Sequence, residues 1–383
     1  MSDAMMRDVL AAWRAAEARD EPAVLATVVH VEGSGYRRPG ARLLVSARGE
    51  TVGAISGGCL ETDLARRAWW MTASGPAVVS YDAGTIGEVD PRSGCGGVIT
   101  VLVERLTPHA EPNPLDVIEA VQRTRRPGLV VTALDERSGA GAHHLVFPDD
   151  TRCGDVPQLR AAADHAIAAG LREGAHAMIV DGQATLVEVV GPPPALVVFG
   201  TGNDGHALVT FAATLGWDVT VTGSHALRAR AERFPHANRV VLTSPDAPLS
   251  GVPLDAETSV AVMTHSLALD AVILHELRGV PLRYLGLLGP RHRTDGLLAS
   301  LFAGDAPGLA RMRARLHAPI GLDLGADGPN EIALAIVAEI RAVLAGRAGG
   351  RLRDRSAALH PAPLRQVASV LDARQRTAVG GRR

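Results

Sequence analysis

The stretch from Ala195 to Gly216, ALVVFGTGNDGHALVTFAATLG, constrains the fold more than any other part of this 383-residue chain. Ala195–Phe199 is an apolar run long enough for a buried parallel strand, and Ala207, Leu208, Phe211, Ala212 and Leu215 then recur with helical spacing. Between them Gly200, Gly202 and Gly205 form G-x-G-x-x-G. The first glycine allows a tight strand-to-helix turn, and the second lets a pyrophosphate approach the backbone. The third permits close helix–strand packing, and the helix N-terminus offers unpaired N–H groups to an anion. A Rossmann-type unit is the expectation.

The strands that follow repeat the theme: Val219–Thr222, Arg239–Leu242, Ser259–Met263 and Tyr284–Leu288, with helices expected between them. That order predicts a doubly wound parallel sheet. Gly200, Thr222-Gly223, Thr264-His265 and Gly289 fall at strand C-terminal ends, so they are expected to converge on one crevice. Pro329–Leu344 closes this domain as a helix with Ile332, Ile336 and Ile340 on one stripe.

Upstream the pattern is mixed α+β. An amphipathic N-terminal helix precedes strands at Val24–Val31, Arg42–Ser46 and Thr51–Ile55, then a helix from Leu60 to Met71. Strands at Val78–Tyr81 and Val98–Glu104, a helix at Asn113–Arg123, a strand at Leu129–Leu134 and a helix near Leu159–Ala169 between short strands complete it. Gly191-Pro192-Pro193-Pro194 is stiff punctuation. The expected domains are therefore 1–190, an α+β domain, and 191–345, a Rossmann-type domain. Residues 346–383 are expected to be a flexible tail.

Composition excludes several chemistries. All 39 basic residues are arginine, which removes a P-loop lysine, a Schiff-base lysine and a lysine general base. A net charge of −2 gives no electrostatic case for a nucleic-acid or membrane partner. The N-terminus lacks the apolar core of a signal peptide, and no stretch has the apolar length to span a bilayer. Cys59, Cys95 and Cys153 are too scattered for a disulfide framework or a zinc site, so no metal-ligand set is expected. A reduced, cytoplasmic protein is the reading.

Two glycine-flanked cysteines carry candidate chemistry. Gly57-Gly58-Cys59 opens a helix with Glu61 and Asp63 in its first turn, where N–H groups can hold a phosphate and the dipole favours thiolate. Cys95 lies within Gly94-Cys95-Gly96-Gly97; Cys153 belongs to no motif and is read as incidental. Arg37 and Arg38 could clamp phosphate oxygens bidentately, with Arg38, before Pro39-Gly40, preferred. His265 and Asp323 are the side chains expected near the crevice, and His206 is read as a packing residue.

Three groups of motifs together resemble the XdhC/CoxI family: Thr27–Glu61 with Ser93–Glu104; the glycine turn ending in LGWDVTV; and MTHSLALD, YLGLLGPR and APIGLDLGADGPNEIALAIVAEI. The resemblance implies an XdhC/CoxI domain followed by a Rossmann domain. It also implies an XdhC-like accessory role in the maturation of molybdenum hydroxylases such as xanthine dehydrogenase. Such a protein binds and protects a molybdopterin-type molybdenum cofactor, supports its sulfuration and hands it to the client enzyme. The implied partners are that hydroxylase, a cysteine desulfurase and further copies of the chain as a homo-oligomer. Carried over by position, Cys59, Cys95 and His265 are the chemical residues. Arg38, Gly57, Gly58, Glu61, Gly200, Gly202, Gly205 and Asp323 are the cofactor contacts.

Two positions depart from the family pattern. The aspartate that usually ends the second Rossmann strand is absent from Val221-Thr222-Gly223-Ser224-His225, which argues against NAD in its usual pose. Leu267 replaces the second histidine after the fourth strand, leaving His265 alone. Ser224 and Arg228 leave room for the 2′-phosphate of NADP, so an NAD(P)-dependent oxidoreductase using His265 or Asp323 stays open as the alternative. So does a regulatory sensor that binds a nucleotide without chemistry.

Overall fold

A computed structural model describes residues 3–32, 37–82, 97–135, 139–171 and 173–356. They fall into two compact units that divide between Pro192 and Pro193. Among them no helix is long and apolar enough to cross a membrane.

The first unit contains the same arrangement twice. Helix α1 (Asp3–Glu17) precedes β1 (Ala23–Glu32), β2 (Arg42–Ser46) and β3 (Thr51–Gly53), then α2 (Cys59–Met71), β4 (Ala77–Asp82) and β5 (Val98–Leu106). Helix α3 (Pro114–Thr124) then precedes β6 (Gly128–Ala133), β7 (His143–Val146) and β8 (Arg152–Cys153), followed by α4 (Pro157–Ala168), β9 (Gly174–Val180) and β10 (Gln183–Val190). Both sheets are antiparallel, with orders β3-β2-β1-β5-β4 and β8-β7-β6-β10-β9. Counted from its own first strand, each is 3-2-1-5-4.

The correspondence reaches single residues. Thr27 pairs with Arg42 across β1–β2, and Thr132 pairs with His143 across β6–β7. Leu25 faces Glu104 on β5 and Val130 faces Glu188 on β10, each the third residue of its strand. Gly53 (φ 97°) and Gly154 (φ 92°) take the same left-handed turn, and a Cβ at either would collide with a carbonyl oxygen, of Arg42 or of His143. The local sequences GARLLV (40–45) and GAHHLV (141–146) match as well.

The two sheets are tied by reciprocal side-chain hydrogen bonds. Arg42 of the first half donates to both oxygens of Glu188 of the second, at 2.6 and 2.9 Å. His143 of the second half meets Glu104 of the first at 2.6 Å, and its other ring nitrogen lies 3.0 Å from Thr132 Oγ1. Such an exchange of equivalent contacts is what a two-fold interface produces, here within one chain. Burial opposes the charge on Arg42, but the Glu188 carboxylate more than offsets it and holds the guanidinium above its ordinary value. Val29 and Leu102 of the first sheet and Leu134, Ala184 and Leu186 of the second form an apolar cluster of their own.

The strands are apolar on both faces because a helix covers each. Val24, Ala26 and Val28 pack under Leu60, Leu64 and Ala68 of α2, while Ala23 and Leu25 meet Val9, Leu10 and Trp13 of α1. In the second half Leu129, Val131 and Ala133 face α4 and Val130 faces α3. Arg14 of α1 joins the two first helices through Asp116 (2.7 Å) and Glu119 of α3.

The second unit is built on β11 (Ala195–Phe199), β12 (Asp218–Gly223), β13 (Arg239–Leu242), β14 (Thr258–Val262), β15 (Tyr284–Leu287) and β16 (Leu316–His317). All pairings are parallel and the order is β13-β12-β11-β14-β15-β16, a 3-2-1-4-5-6 arrangement. This is the doubly wound dinucleotide-binding order, with its reversal point between β11 and β14. Helices α5 (Asn203–Thr214), α6 (Leu267–Leu277), α7 (Arg291–Leu301), α8 (Ala306–Arg315) and α9 (Pro329–Leu344) flank it. The expectation of a helix between every pair of strands fails in two places. Between β12 and β13 there is only the 3-10 turn Ala231–Arg233, and between β13 and β14 there is no helix. The linking segment 243–257 carries three prolines, Pro245, Pro248 and Pro253, which supply no N–H for a helical ladder.

Candidate functional site

At the reversal point the three glycines of the turn do different jobs. Gly200 has φ 149°, and a Cβ there would collide with the Met263 carbonyl at the end of β14. At Gly205 a Cβ would lie 2.6 Å from the Gly200 carbonyl, so α5 could not close on β11. Gly202 is under no such pressure. Its φ is −77° and the nearest atom to a Cβ would be His265 Nε2 at 3.4 Å. It is the N-cap of α5, and no side chain caps that terminus. A helix start left bare of side chains fits a pyrophosphate.

His265 stands over this turn. It is one of six described non-glycine residues at positive φ (60°), a conformation that costs energy and collects at functional sites. Its side chain is 60% exposed, with Nε2 3.6 Å from Asp204 in the first turn of α5. Thr264 braces the loop through the Ser266 carbonyl and through Asp270. Its Oγ1 donates to Asp270 at 2.5 Å, and Asp270, fully buried, takes Arg293 on its other oxygen at 2.6 Å. Arg293 also donates to the Leu288 carbonyl, so one ion pair ties the ends of β14 and β15 together. Sequence reasoning singles out neither Asp270 nor Arg293, although both lie in or beside quoted motifs. Nothing local to either motif says that they pair across 23 residues.

The single expected crevice is two depressions. One, of about 460 Å³, opens among the ends of β11, β12, β13 and β14 and α6, lined by Thr201, Ser224, His225, Arg228, Asp246 and Leu269 among others. The other, about 520 Å³ and largely apolar, takes His265, Leu288, Gly289, Pro319 and Ile332. Thr264 lines the first and His265 the second, so the loop after β14 divides them. Asp323 is exposed and lines neither. Its loop is held from behind: Glu339 of α9 accepts from the Gly321 N–H at 2.9 Å and from the Tyr284 hydroxyl, with His317 3.2 Å from its other oxygen. Burial works against the Glu339 charge, but His317 and Tyr284 hold the carboxyl below its ordinary range. His206 packs at a tilt against Phe234, ring centroids 5.8 Å apart.

In the first unit, antiparallel pairing sends the connections β1–β2, β3–α2 and β4–β5 out of the same end of the first sheet. These connections contain Arg37 and Arg38, Gly57 and Gly58, and Cys95. Cys59 is the first residue of α2. Arg38 is exposed, its carbonyl accepting from Ala41 in a turn. Cys95 lies outside the described residues, as do 357–383 of the expected tail. Cys153, expected in a linker, sits half-buried in β8 opposite Leu145.

The phosphate site expected at Gly57-Gly58 is altered by Glu61. Its carboxylate accepts from the N–H groups of Ile55 (2.9 Å), Ser56 (2.7 Å) and Gly58 (3.0 Å) and from the Ser56 hydroxyl. The Gly58 amide is therefore already given to an anion of the protein's own. Partial burial works against the charge, but these bonds hold Glu61 below its ordinary carboxylate range. Glu61 thus fixes the turn that presents Cys59. Gly58 needs its φ of 120°, whereas Gly57 has only open space around it.

Comparison with known proteins agrees with both units. A family model described as the XdhC Rossmann domain matches residues 196–340, and one described as the XdhC and CoxI family matches residues 16–82. A protein of Bacillus subtilis (strain 168) described as a probable xanthine dehydrogenase subunit is 31% identical over 327 residues, covering 84% of this chain and 92% of its own length. The chain belongs to the XdhC/CoxI family.

Among other relatives, the molybdenum cofactor insertion chaperone PaoD of Escherichia coli (strain K12) is 26% identical over 324 residues, 84% of this chain and 83% of PaoD. A crystal structure described as a xanthine dehydrogenase from Bacillus halodurans superposes with a TM-score of 0.72 at 28% identity. The match covers 93% of this chain and 98% of that one. The XdhC Rossmann match spans the glycine turn, His265 and most of α9; the XdhC and CoxI match spans β1 through β4 with Cys59 and Glu61.

Proposed function

We propose that this XdhC/CoxI protein carries a molybdopterin-type cofactor, protects it, supports its sulfuration and inserts it into a molybdenum hydroxylase. The observation that carries the reading is family membership shared with two named relatives. One is named for xanthine dehydrogenase, the other as a molybdenum cofactor insertion chaperone. Together these support a role in molybdenum hydroxylase maturation.

The chemistry divides between the units. Cys59 is assigned as the thiol that meets the metal or its transferable sulfur, because a helix N-terminus stabilises the thiolate that does either. Glu61 holds the Ser56–Cys59 turn in place, and Arg38 supplies positive charge from a connection at the same sheet end. Cys95, in the third such connection, is the candidate second thiol, and a cysteine desulfurase is the sulfur donor this assignment calls for. When bound, the cofactor supplies a dithiolene-held molybdenum centre; the protein's share is to hold it, keep water from it and release it to the client. At the second unit, the uncapped start of α5 and the bare Gly202 fit a pyrophosphate.

The test is to purify the full chain from cells that make the cofactor, then measure bound pterin, bound molybdenum and activation of an apo-hydroxylase. Wild type is expected to load and activate. Cys59→Ser should fold but lose most loading or activation, whereas Cys153→Ser should keep both. Wild-type behaviour of Cys59→Ser removes the thiol assignment, and a wild-type chain that neither binds pterin nor activates a client removes the reading.

A further inference from the structure

In the depression beside β12, the missing carboxylate leaves room for a different chemistry. Gly223 ends β12 against the glycine turn: a Cβ there would lie 2.6 Å from Thr201 Cγ2. The segment after it is thereby set next to the backbone that fits a pyrophosphate. That segment winds one turn, with the Arg228 and Ala229 N–H groups both donating to the His225 carbonyl at 2.9 Å. The Leu227 N–H donates to His225 Nδ1 at 3.3 Å, which leaves the ring proton on Nε2 as a donor. Ser224, His225 and Arg228 all line the depression and all are exposed. A hydroxyl, an imidazole N–H and a guanidinium fork stand where a ribose diol would need an acid. Across the depression are Asp246, an acceptor suited to an amino group of a base, and Pro245 with Leu269 as apolar walls.

We propose that this depression binds a nucleotide carrying a phosphate monoester on its sugar, the 2′-phosphoadenosine end of NADPH, in preference to the same ligand with a free ribose diol. Ser224, His225 and Arg228 hold the monoester, and the Gly200–Gly205 turn holds the pyrophosphate. The proposal goes beyond the cofactor-carrier reading and does not rest on it. A chain that loads pterin and ignores NADPH overturns this proposal alone, and the converse result overturns the other alone.

Titration calorimetry of the full chain with NADPH, NADH and adenosine 2′,5′-bisphosphate tests it. NADPH is expected to bind about tenfold or more tighter than NADH, a ratio in keeping with charge-assisted hydrogen bonds to one phosphate. The bisphosphate should compete with NADPH, which places the contact at the adenosine end. Arg228→Gln should weaken NADPH about ten- to hundredfold and leave NADH unchanged. Ser224→Asp should invert the preference by repelling the phosphate and accepting a ribose hydroxyl. Equal affinity for NADPH and NADH in wild type, binding of neither, or an unchanged ratio in both variants overturns the proposal.

Discussion

The two halves of the first unit share strand order, pairing register, left-handed glycines and reciprocal side-chain hydrogen bonds, but they differ in their connections. Between the equivalent residues Val28 and Gly40 the first half spends residues 29–39, where the second, between Ala133 and Gly141, spends 134–140. Between strand and helix it has 54–58 against 154–156, and between the last two strands 83–97 against 181–182. Every motif that drew attention in this unit falls in the longer member of a pair or at its border: Arg38, Gly57, Gly58, Cys59 and Cys95. The second half is the same frame without them. What the frame needs is thereby separated from what has been added to it, and loops tolerate addition far better than cores do.

The reciprocal side-chain pairs are where the frame is most easily broken. Arg42→Ala leaves the largely buried Glu188 carboxylate, 12% exposed, without the guanidinium, and a loss of about 3–5 kcal/mol in urea unfolding is expected. Arg42→Met combined with Glu188→Leu should recover most of it, since an apolar pair asks for no desolvation. At the equivalent place His143→Ala should cost less, because the imidazole gives Glu104 one hydrogen bond against the guanidinium's two. Equal losses at Arg42 and His143 would mean the two pairs bear the same load despite their chemistry.

Next come the equivalent glycines. Gly53→Ala and Gly154→Ala each force a Cβ into a backbone carbonyl at positive φ, so each should cost about 1–3 kcal/mol, and the two losses should agree closely. A harmless Gly154→Ala would show that the second half's turn is free to relax and that the duplication is looser than its register.

A smaller, pH-dependent difference follows from Glu61. The second half has no acid in the first turn of α4, so of this equivalent pair of helices only α2 has a carboxylate folded into its start. Because the Glu61 pKa is depressed on folding, its contribution is present above the ordinary carboxylate range and lost as pH falls through the folded value. Hydrogen exchange at the start of α2 should therefore quicken on acidification, relative to the start of α4. Partial exposure screens the charge, so the effect should be worth no more than about 1 kcal/mol. Glu61→Gln should remove that difference; a pH response that survives the substitution would assign it elsewhere.

Much of this architecture is legible in the sequence. G-x-G-x-x-G between an apolar run and a helical pattern specifies β11 and α5, because each glycine there answers a local steric demand that sequence spacing encodes. The parallel sheet follows from regular βα spacing, which fails across 224–238, where only a 3-10 turn forms, and across 243–257, where prolines interrupt the ladder. The duplication is present as GARLLV and GAHHLV, yet unequal connections destroy a fixed period, and a repeat of topology without period leaves little for pattern to catch. The same holds for the site. Gly200, Gly202 and His265 can be placed from strand ends, whereas Asp270–Arg293 and the Glu61 clamp depend on side chains meeting in space. The loop of Asp323, outside both depressions, is fixed by Glu339, a helix away.

The smallest loss of stability is expected from the largest edit. Residues 83–97 join the last two strands of the first sheet, and the second sheet makes the same junction with Asp181-Gly182, a two-residue hairpin turn with both residues at positive φ. Replacing 83–97 by Asp-Gly gives the first half the second half's connection, closing a shorter loop at no cost in loop entropy. The shortened chain should unfold at the same urea concentration as wild type or slightly higher, while removing Cys95 and its glycines from the sheet end that presents Cys59. Pterin loading and client activation should then fall. If the shortened chain fails to fold, the long connection is part of the frame and the two halves are less alike than their registers. Should it fold, load and activate as wild type does, the functional end of the unit is carried by the Arg38 and Cys59 connections alone.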